Sequence, residues 1–124
     1  MLNKLLAVLL IVSMMIAGFA LAEEAPAHTP AVILYTNDVH CGIDDAIGYA
    51  GLAAYRAAYE KAGYDVLLAD CGDAIQGAAV GTISKGEYIV DIMNEVGYSV
   101  ATIGNHEFDY GMDQFMALKD KAQY

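Results

Sequence analysis

Apolar residues of the chain fall into short unbroken runs from residue 31 onward. The runs are AVILYT, YDVLLAD and YSVATIG, at residues 31–36, 64–70 and 98–104. They are rich in β-branched and aliphatic residues and do not alternate strictly with polar residues, which is typical of strands covered on both faces. The pattern therefore predicts three buried strands.

The segments between and after these runs have helical character. Residues 47–62 are rich in Ala, Leu and Tyr, and Gly63 follows as a stop signal. A second segment, KGEYIVDIMNEVGY, ends its helical pattern at Gly97, and a third helix is predicted over 112–122. The second helix has apolar residues at i, i+3, i+4 and i+7, which form one face: Ile89, Ile92, Met93 and Val96.

The order strand, helix, strand, helix, strand, helix predicts a run of βαβ units. Parallel strands need such helical crossovers, which are nearly always right-handed. The predicted fold class is α/β, with layered βαβ units around a parallel sheet. In sheets of this kind, ligands bind beyond the carboxyl ends of the strands.

The N-terminal 22 residues have the pattern of a signal peptide. Lys4 precedes an uncharged apolar run, and the small residues Ala20 and Ala22 flank Leu21, so cleavage is expected after Ala22. The run is also just long enough to span a bilayer as an uncleaved anchor. In both cases we expect export to the periplasm, the cell surface or the medium, with membrane contact only through an uncleaved segment.

Residues 23–30, EEAPAHTP, have the composition of a linker, and its His28 is expected to be a bystander. The predicted folded domain covers residues 31–124. The whole chain of 124 residues has room for one domain, since a single core takes roughly 100 to 150 residues. Apolar residues make up 57% of the chain, so most of it is expected to fold.

The charge of the chain narrows the choice of partners. The formal net charge is −10. Proteins that bind a phosphate backbone usually carry a basic face, so nucleic acid is not the expected partner.

Polar side chains follow each of the three predicted strands. Asp38 and His40 lie in NDVHC, where an extended backbone would point both side chains the same way. Asp73 follows a glycine in DCGDAIQG, and Asn105 follows Gly104 in TIGNHEFDYG. Each cluster alone is typical of an ordinary turn. Three clusters at three successive strand ends favour a shared metal site.

His106 and Asp109 form a further candidate pair in the third cluster. Their spacing brings the side chains together if the segment makes a helical turn. A carboxylate bonded to one ring nitrogen fixes the tautomer of a histidine and stabilises its charged form. His106 is therefore a candidate catalytic acid, whereas Glu107 is expected to be solvent-facing or structural.

The set YTNDVHCG, LLADCGDAIQG and TIGNHEFDYG resembles the calcineurin-like metallophosphoesterases. It is most similar to the N-terminal part of the exported 5′-nucleotidase family, which includes UDP-sugar hydrolases and 2′,3′-cyclic phosphodiesterases. The resemblance implies a βαβ-rich sandwich that hydrolyses phosphate esters of small nucleotides. It also implies two divalent ions at the strand ends, with Mn, Zn, Fe and Co all compatible with the ligands.

By this resemblance, Asp38 and His40 would bind the first ion, Asp73 would bridge both, and Asn105 would bind the second. His106 and Asp109 would be the catalytic pair. The family adds further histidines and a nucleotide-binding domain downstream, whereas this sequence stops at Tyr124. We therefore expect an N-terminal fragment that is inactive alone.

Two questions stay open at the level of sequence. Cys41 and Cys71 could form a disulfide, remain free packed thiols or bind metal. The motifs could also belong to a non-catalytic, metal-stabilised binding module of the cell surface, or to a hydrolase of sulfur or cell-wall substrates. Retention of both His106 and Asp109 favours an enzyme.

Overall fold

A computed structural model describes residues 28–124, and the predicted signal peptide lies outside this range. Three parallel strands form one sheet in the order β1-β2-β3. β1 is Ala31–Thr36, β2 is Asp65–Asp70 and β3 is Val100–Ala101. This arrangement confirms the predicted α/β class with parallel strands.

Helices connect and follow the strands as the sequence pattern predicts. In chain order they are α1 (Gly48–Lys61), α2 (Ala79–Ser84), α3 (Glu87–Val96), a 3₁₀ turn (His106–Phe108) and α4 (Met112–Lys121). α3 ends at Gly97, whose φ of 81° lies in the left-handed region that glycine enters without strain. The predicted boundaries of α1, α3 and α4 are thus confirmed to within a few residues.

Two elements differ from the sequence prediction. α2 was not predicted, because its sequence AVGTIS combines a glycine with β-branched residues, which are weak helix formers. β3 covers only two residues instead of the predicted seven. It pairs with β2 alone, and the chain then turns into the polar segment after Ile103.

The two faces of the sheet have very different environments. The helices cover the face that carries Leu34 and Leu68, and Leu68 is fully buried. On the opposite face Ile33 and Leu67 are 68% and 43% exposed. The prediction that the strands are covered on both faces is therefore wrong for the described residues, where only one face is covered.

The hydrophobic core lies between the sheet and the helices. Its most deeply buried side chains are Cys41, Leu68, Ile89 and Met93. Within residues 28–124, none of the helices combines the length and the apolar composition needed to cross a bilayer.

Candidate metal centre

The loops that follow β1 and β2 run side by side beyond the sheet. The amide of Asp38 donates to the carbonyl of Gly72 over 3.1 Å, and the amide of His40 donates to the carbonyl of Asp73 over 3.0 Å. These bonds continue the pairing of the two strands into the loops. As a result, the first two polar clusters lie next to each other.

The third loop brings a second histidine to the same place. Potential ligand atoms of His40, Asp73 and His106 all lie within 4.8 Å of one another. The two imidazole rings meet edge to face, with centroids 5.1 Å apart. One residue from each of the three strand ends therefore contributes to a single cluster.

His40 has a defined orientation in this cluster. Its Nδ1 lies 3.1 Å from the backbone carbonyl oxygen of Gln76. A carbonyl only accepts hydrogen bonds, so Nδ1 carries the proton and Nε2 has a free lone pair. Metal-binding histidines are commonly oriented by a hydrogen bond of this kind.

Asp38 lies beside the cluster rather than in the group of three. Its Oδ1 is 3.8 Å from Nε2 of His40, and its other carboxylate oxygen accepts a hydrogen bond from the side chain of Asn37. The two residues do not keep the extended backbone that we expected, since their φ angles are 52° and 46°. A left-handed turn, not the two-residue period of a strand, brings the side chains together.

Left-handed backbone is concentrated in these loops. Cys41 and Asp73 have φ angles of 62° and 59°, in addition to Asp38 and His40. Such conformations are uncommon for residues other than glycine, and they cluster at functional sites where the surrounding structure enforces them. The backbone of the cluster is therefore strained where the candidate ligands lie.

His106 and Asp109 form the predicted pair. Nδ1 of His106 lies 2.8 Å from Oδ2 of Asp109, across the 3₁₀ turn. This hydrogen bond is the main reason that the pKa of His106 is raised above its ordinary value. The bond occupies Nδ1 and leaves Nε2 as the ring nitrogen available to a ligand.

Asn105 immediately precedes this turn, and its side chain is exposed. Asn105 is next to His106 in the chain, whereas Asp73 contacts the turn from a different loop. The amide of His106 donates to Oδ1 of Asp73 over 2.7 Å.

Two residues that sequence reasoning did not assign to the site also shape it. Glu107 is buried and accepts hydrogen bonds from backbone amides of two different loops. Gln76 orients His40 through its backbone carbonyl, which no side-chain pattern could reveal. Sequence offered no signal for either, because both contacts depend on loops that meet only in the folded chain.

The close approach of the second and third loops depends on two glycines. A Cβ atom built on Gly72 would lie 2.7 Å from the amide nitrogen of Gly104. A Cβ atom on Gly104 would lie 2.7 Å from the amide nitrogen of Asp73 and closer still to its Oδ1. Only residues without a side chain allow this contact.

The two cysteines are not joined to each other. Cys41 is buried and Cys71 is exposed. Cys41 donates a weak hydrogen bond to the carbonyl of Ala74, and burial raises the pKa of its thiol. Neither cysteine belongs to the cluster of His40, Asp73 and His106.

The donor set fits a divalent metal ion. The ligand atoms of two imidazoles and one carboxylate are close enough together to contact one ion. The hydrogen bond from His40 Nδ1 leaves Nε2 as a lone-pair donor. Imidazole and carboxylate together suit Mn, Zn, Fe or Co. The geometry therefore supports a divalent-metal site.

Known proteins similar to this chain carry related functions. The endonuclease YhcR of Bacillus subtilis is 34% identical over 119 residues, which cover 82% of this chain and 10% of that protein. The 5′-nucleotidase of Mus musculus is 34% identical over 116 residues, which cover 81% of this chain and 20% of that protein. No protein-family model matches the chain.

The fold has a close counterpart among solved structures. The calcineurin-like phosphoesterase YfkN of Bacillus subtilis superposes with a TM-score of 0.62 and 28% identity. The superposition covers 74% of this chain and 34% of that chain. The fold is that of a calcineurin-like metallophosphoesterase. Within that class, the chain belongs to the 5′-nucleotidase family.

The chain spans only a small part of its relatives. It matches 10% of the length of the endonuclease, 18% of the bovine 5′-nucleotidase and 20% of the mouse 5′-nucleotidase. Most of each relative therefore has no counterpart in the 124 residues of this chain.

Proposed function

We propose that this chain supplies part of the active site of an exported, divalent-metal phosphoesterase that hydrolyses small nucleotide phosphate esters. One observation carries the proposal. His40, Asp73 and His106 come from three different strand ends and meet within 4.8 Å, with His106 held by Asp109. The names of the 5′-nucleotidase relatives support the substrate class.

The metal would be held by His40 and Asp73, with Asp38 and Asn105 as the remaining proposed ligands. Bound divalent ions lower the pKa of water and polarise phosphoryl oxygens, which is the chemistry that phosphate ester hydrolysis requires. Asp73 would bridge two ions; the proximity of its carboxylate to His40 and His106, within 4.8 Å, supports this role.

His106 would act on the substrate, next to the metal. Its Nδ1 is engaged by Asp109 at 2.8 Å, so Nε2 is free to donate to a phosphoryl or leaving oxygen. The carboxylate of Asp109 favours the charged imidazolium, which offsets the negative charge that develops on these oxygens. Asp109 is thus the positioning partner of a proposed catalytic acid.

A chimera tests this function. Residues 28–124 would replace the matching segment of the Bacillus subtilis phosphoesterase, and Mn²⁺-dependent hydrolysis of AMP would be measured. We expect H106A to lower kcat by roughly 10² to 10⁴ fold, the usual contribution of a general acid, while the bound metal is retained. H28A, which changes the linker histidine, is the control and should leave kcat unchanged.

The same assay separates the competing functions. Equal kcat for the chimera and its H106A variant would remove His106 from the mechanism. A chimera that binds Mn²⁺ but hydrolyses no phosphate ester would favour the non-catalytic binding module. Single-stranded DNA serves as a second substrate because one relative is named an endonuclease.

A further inference from the structure

Glu107 occupies a position that the proposed chemistry does not explain. Its side chain is only 9% exposed, although it lies in a polar loop. One carboxylate oxygen, Oε2, accepts from the amides of Asp73 at 2.9 Å and Gly104 at 2.6 Å. The other, Oε1, accepts from the amide of Ala74 at 2.9 Å.

Two of these bonds join loops that are far apart in the chain, and the third lies within the loop of Glu107 itself. Asp73 and Ala74 follow β2, whereas Gly104 and Glu107 follow β3. A bond in the opposite direction completes the connection, since the amide of His106 donates to Oδ1 of Asp73 at 2.7 Å. Each loop thus supplies one carboxylate that accepts from the backbone of the other.

We propose that Glu107 is a positioning residue that holds Asp73 in the geometry required for metal binding and fixes it relative to the His106 turn. This inference rests on the metal site of the proposed function. We call the three hydrogen bonds from the amides of Asp73, Ala74 and Gly104 to the Glu107 carboxylate the Glu107 clamp. The clamp acts on the backbone of a candidate ligand, and Glu107 itself is not one of the three clustered residues.

The strained backbone of Asp73 explains why a clamp is needed. Its φ of 59° is unfavourable for a residue with a side chain, so it persists only where surrounding contacts enforce it. Hydrogen bonds to an ionised acceptor are about twice as strong as those between neutral groups. The charged carboxylate of Glu107 is therefore well suited to hold this conformation.

The clamp makes specific demands on the side chain at position 107. All three partners are donors, so the side chain must accept three bonds with two oxygens. The variant E107Q keeps the length but places an amide donor against at least one backbone N–H. The variant E107D keeps the charge but is one methylene shorter and cannot reach both loops at once.

Titration of the chain with Mn²⁺ alone tests the clamp. Electron paramagnetic resonance measures free Mn²⁺, and broadening of the His40 and His106 ring signals in the NMR spectrum locates the ion. We expect E107Q and E107D to weaken Mn²⁺ affinity by about 10 to 100 fold, as is typical when the support of a ligand is removed.

Met93→Ala provides the matched control. Met93 is a fully buried core residue of α3 that makes none of the hydrogen bonds of the clamp. M93A is expected to lower Tm but to leave Mn²⁺ affinity within about twofold of the parent, because ligand geometry is unchanged. A loss of stability alone would therefore not reproduce the weaker Mn²⁺ binding expected of the glutamate variants.

The outcomes distinguish failure of the clamp from failure of the proposed function. A parent chain that does not bind Mn²⁺ beside His40 would overturn the metal site itself. A parent that binds, together with folded E107Q and E107D chains that bind equally well, would overturn only the clamp. If both glutamate variants are unfolded while M93A is folded, Glu107 is required for folding and the inference is wrong.

Discussion

At the scale of single residues, the site depends on backbone conformations that side chains normally avoid. Asp38, His40 and Asp73 all have positive φ angles, and Gly72 and Gly104 allow two loops to touch. Each left-handed residue costs free energy, of the order of 1 kcal/mol or more, that other contacts must offset. The strain is concentrated on residues that we assign to the chemistry.

Gly104→Ala tests the close contact between the loops. The added Cβ would overlap the backbone and carboxylate of Asp73, so we expect a loss of about 1 to 3 kcal/mol in the free energy of unfolding. Mn²⁺ affinity should fall as well, because Asp73 must move. The control is Gly63→Ala, whose Cβ would meet nothing within 4 Å but whose φ of 87° imposes backbone strain on alanine.

The two variants should separate the effect of backbone strain from the effect of displacing Asp73. Chemical denaturation would show a loss of stability in both, whereas Mn²⁺ titration would show weaker binding only in G104A. Parent-like Mn²⁺ affinity in G104A would contradict the claim that the loop contact positions Asp73.

Asp70 predicts a pH dependence of stability. Its carboxylate is buried at the end of β2 and accepts from the hydroxyl of Thr36 at 2.8 Å and the amide of Gly72 at 3.0 Å. Burial is the largest cause of its raised pKa, the two hydrogen bonds oppose it, and the charges of Glu107 and Asp73 add to it. The folded chain therefore holds the proton of Asp70 more tightly than the unfolded chain does.

The sign of the effect follows from this difference in pKa. The contribution of Asp70 to stability is fully present below its ordinary pKa and is lost as the pH rises through the raised value. The stability of the parent relative to D70N should thus increase as the pH falls from 7 to 4. Urea denaturation of both chains at several pH values measures this, and a constant difference would refute the assignment.

At the scale of elements, helices cover only one face of the sheet. The helices bury Leu68 and partly cover Leu34, while Ile33, Tyr35 and Leu67 remain in contact with water. β1 and β3 are also edge strands within the described residues. Exposed apolar strands at an open edge are a common cause of self-association.

The open face predicts aggregation of the isolated chain. The double variant I33T/L67T places a β-branched threonine at both positions but removes apolar surface, so it should shift the chain toward monomer. Size-exclusion chromatography with light scattering gives the distribution. Ile83→Thr is the control, since Ile83 is 78% exposed but lies on α2, and it should leave self-association unchanged.

At the scale of the whole molecule, the cluster within the described residues has fewer side chains than two metal ions would need. The cluster contains three side chains, whereas a single tetrahedral Zn²⁺ already takes about four ligands. We therefore expect the purified chain to bind Mn²⁺ but to show little hydrolysis of AMP, UDP-glucose or 2′,3′-cyclic AMP. Rapid metal-dependent hydrolysis by the chain alone would show that it needs no further residues.

Much of the architecture was predictable from local pattern. Helical periodicity located α3 and its glycine stop, and apolar runs located β1 and β2, because these features depend on neighbours in the chain. The spacing of His106 and Asp109 likewise predicted their contact. α2 and the true length of β3 were not predictable. The local sequence has only a weak preference in both segments, so packing and the number of strand partners determine their structure.

The sequence by itself determined the residue types of the site, the three strand ends that carry them and the parallel α/β class. Only the tertiary structure decided that His106 joins His40 and Asp73, that Asp38 turns out of the strand conformation, and that Glu107 connects two loops. The physical reason is distance along the chain. Local pattern records the preferences of neighbouring residues, whereas these contacts join residues more than 30 positions apart, and their geometry is set by the pairing of the strands beneath them.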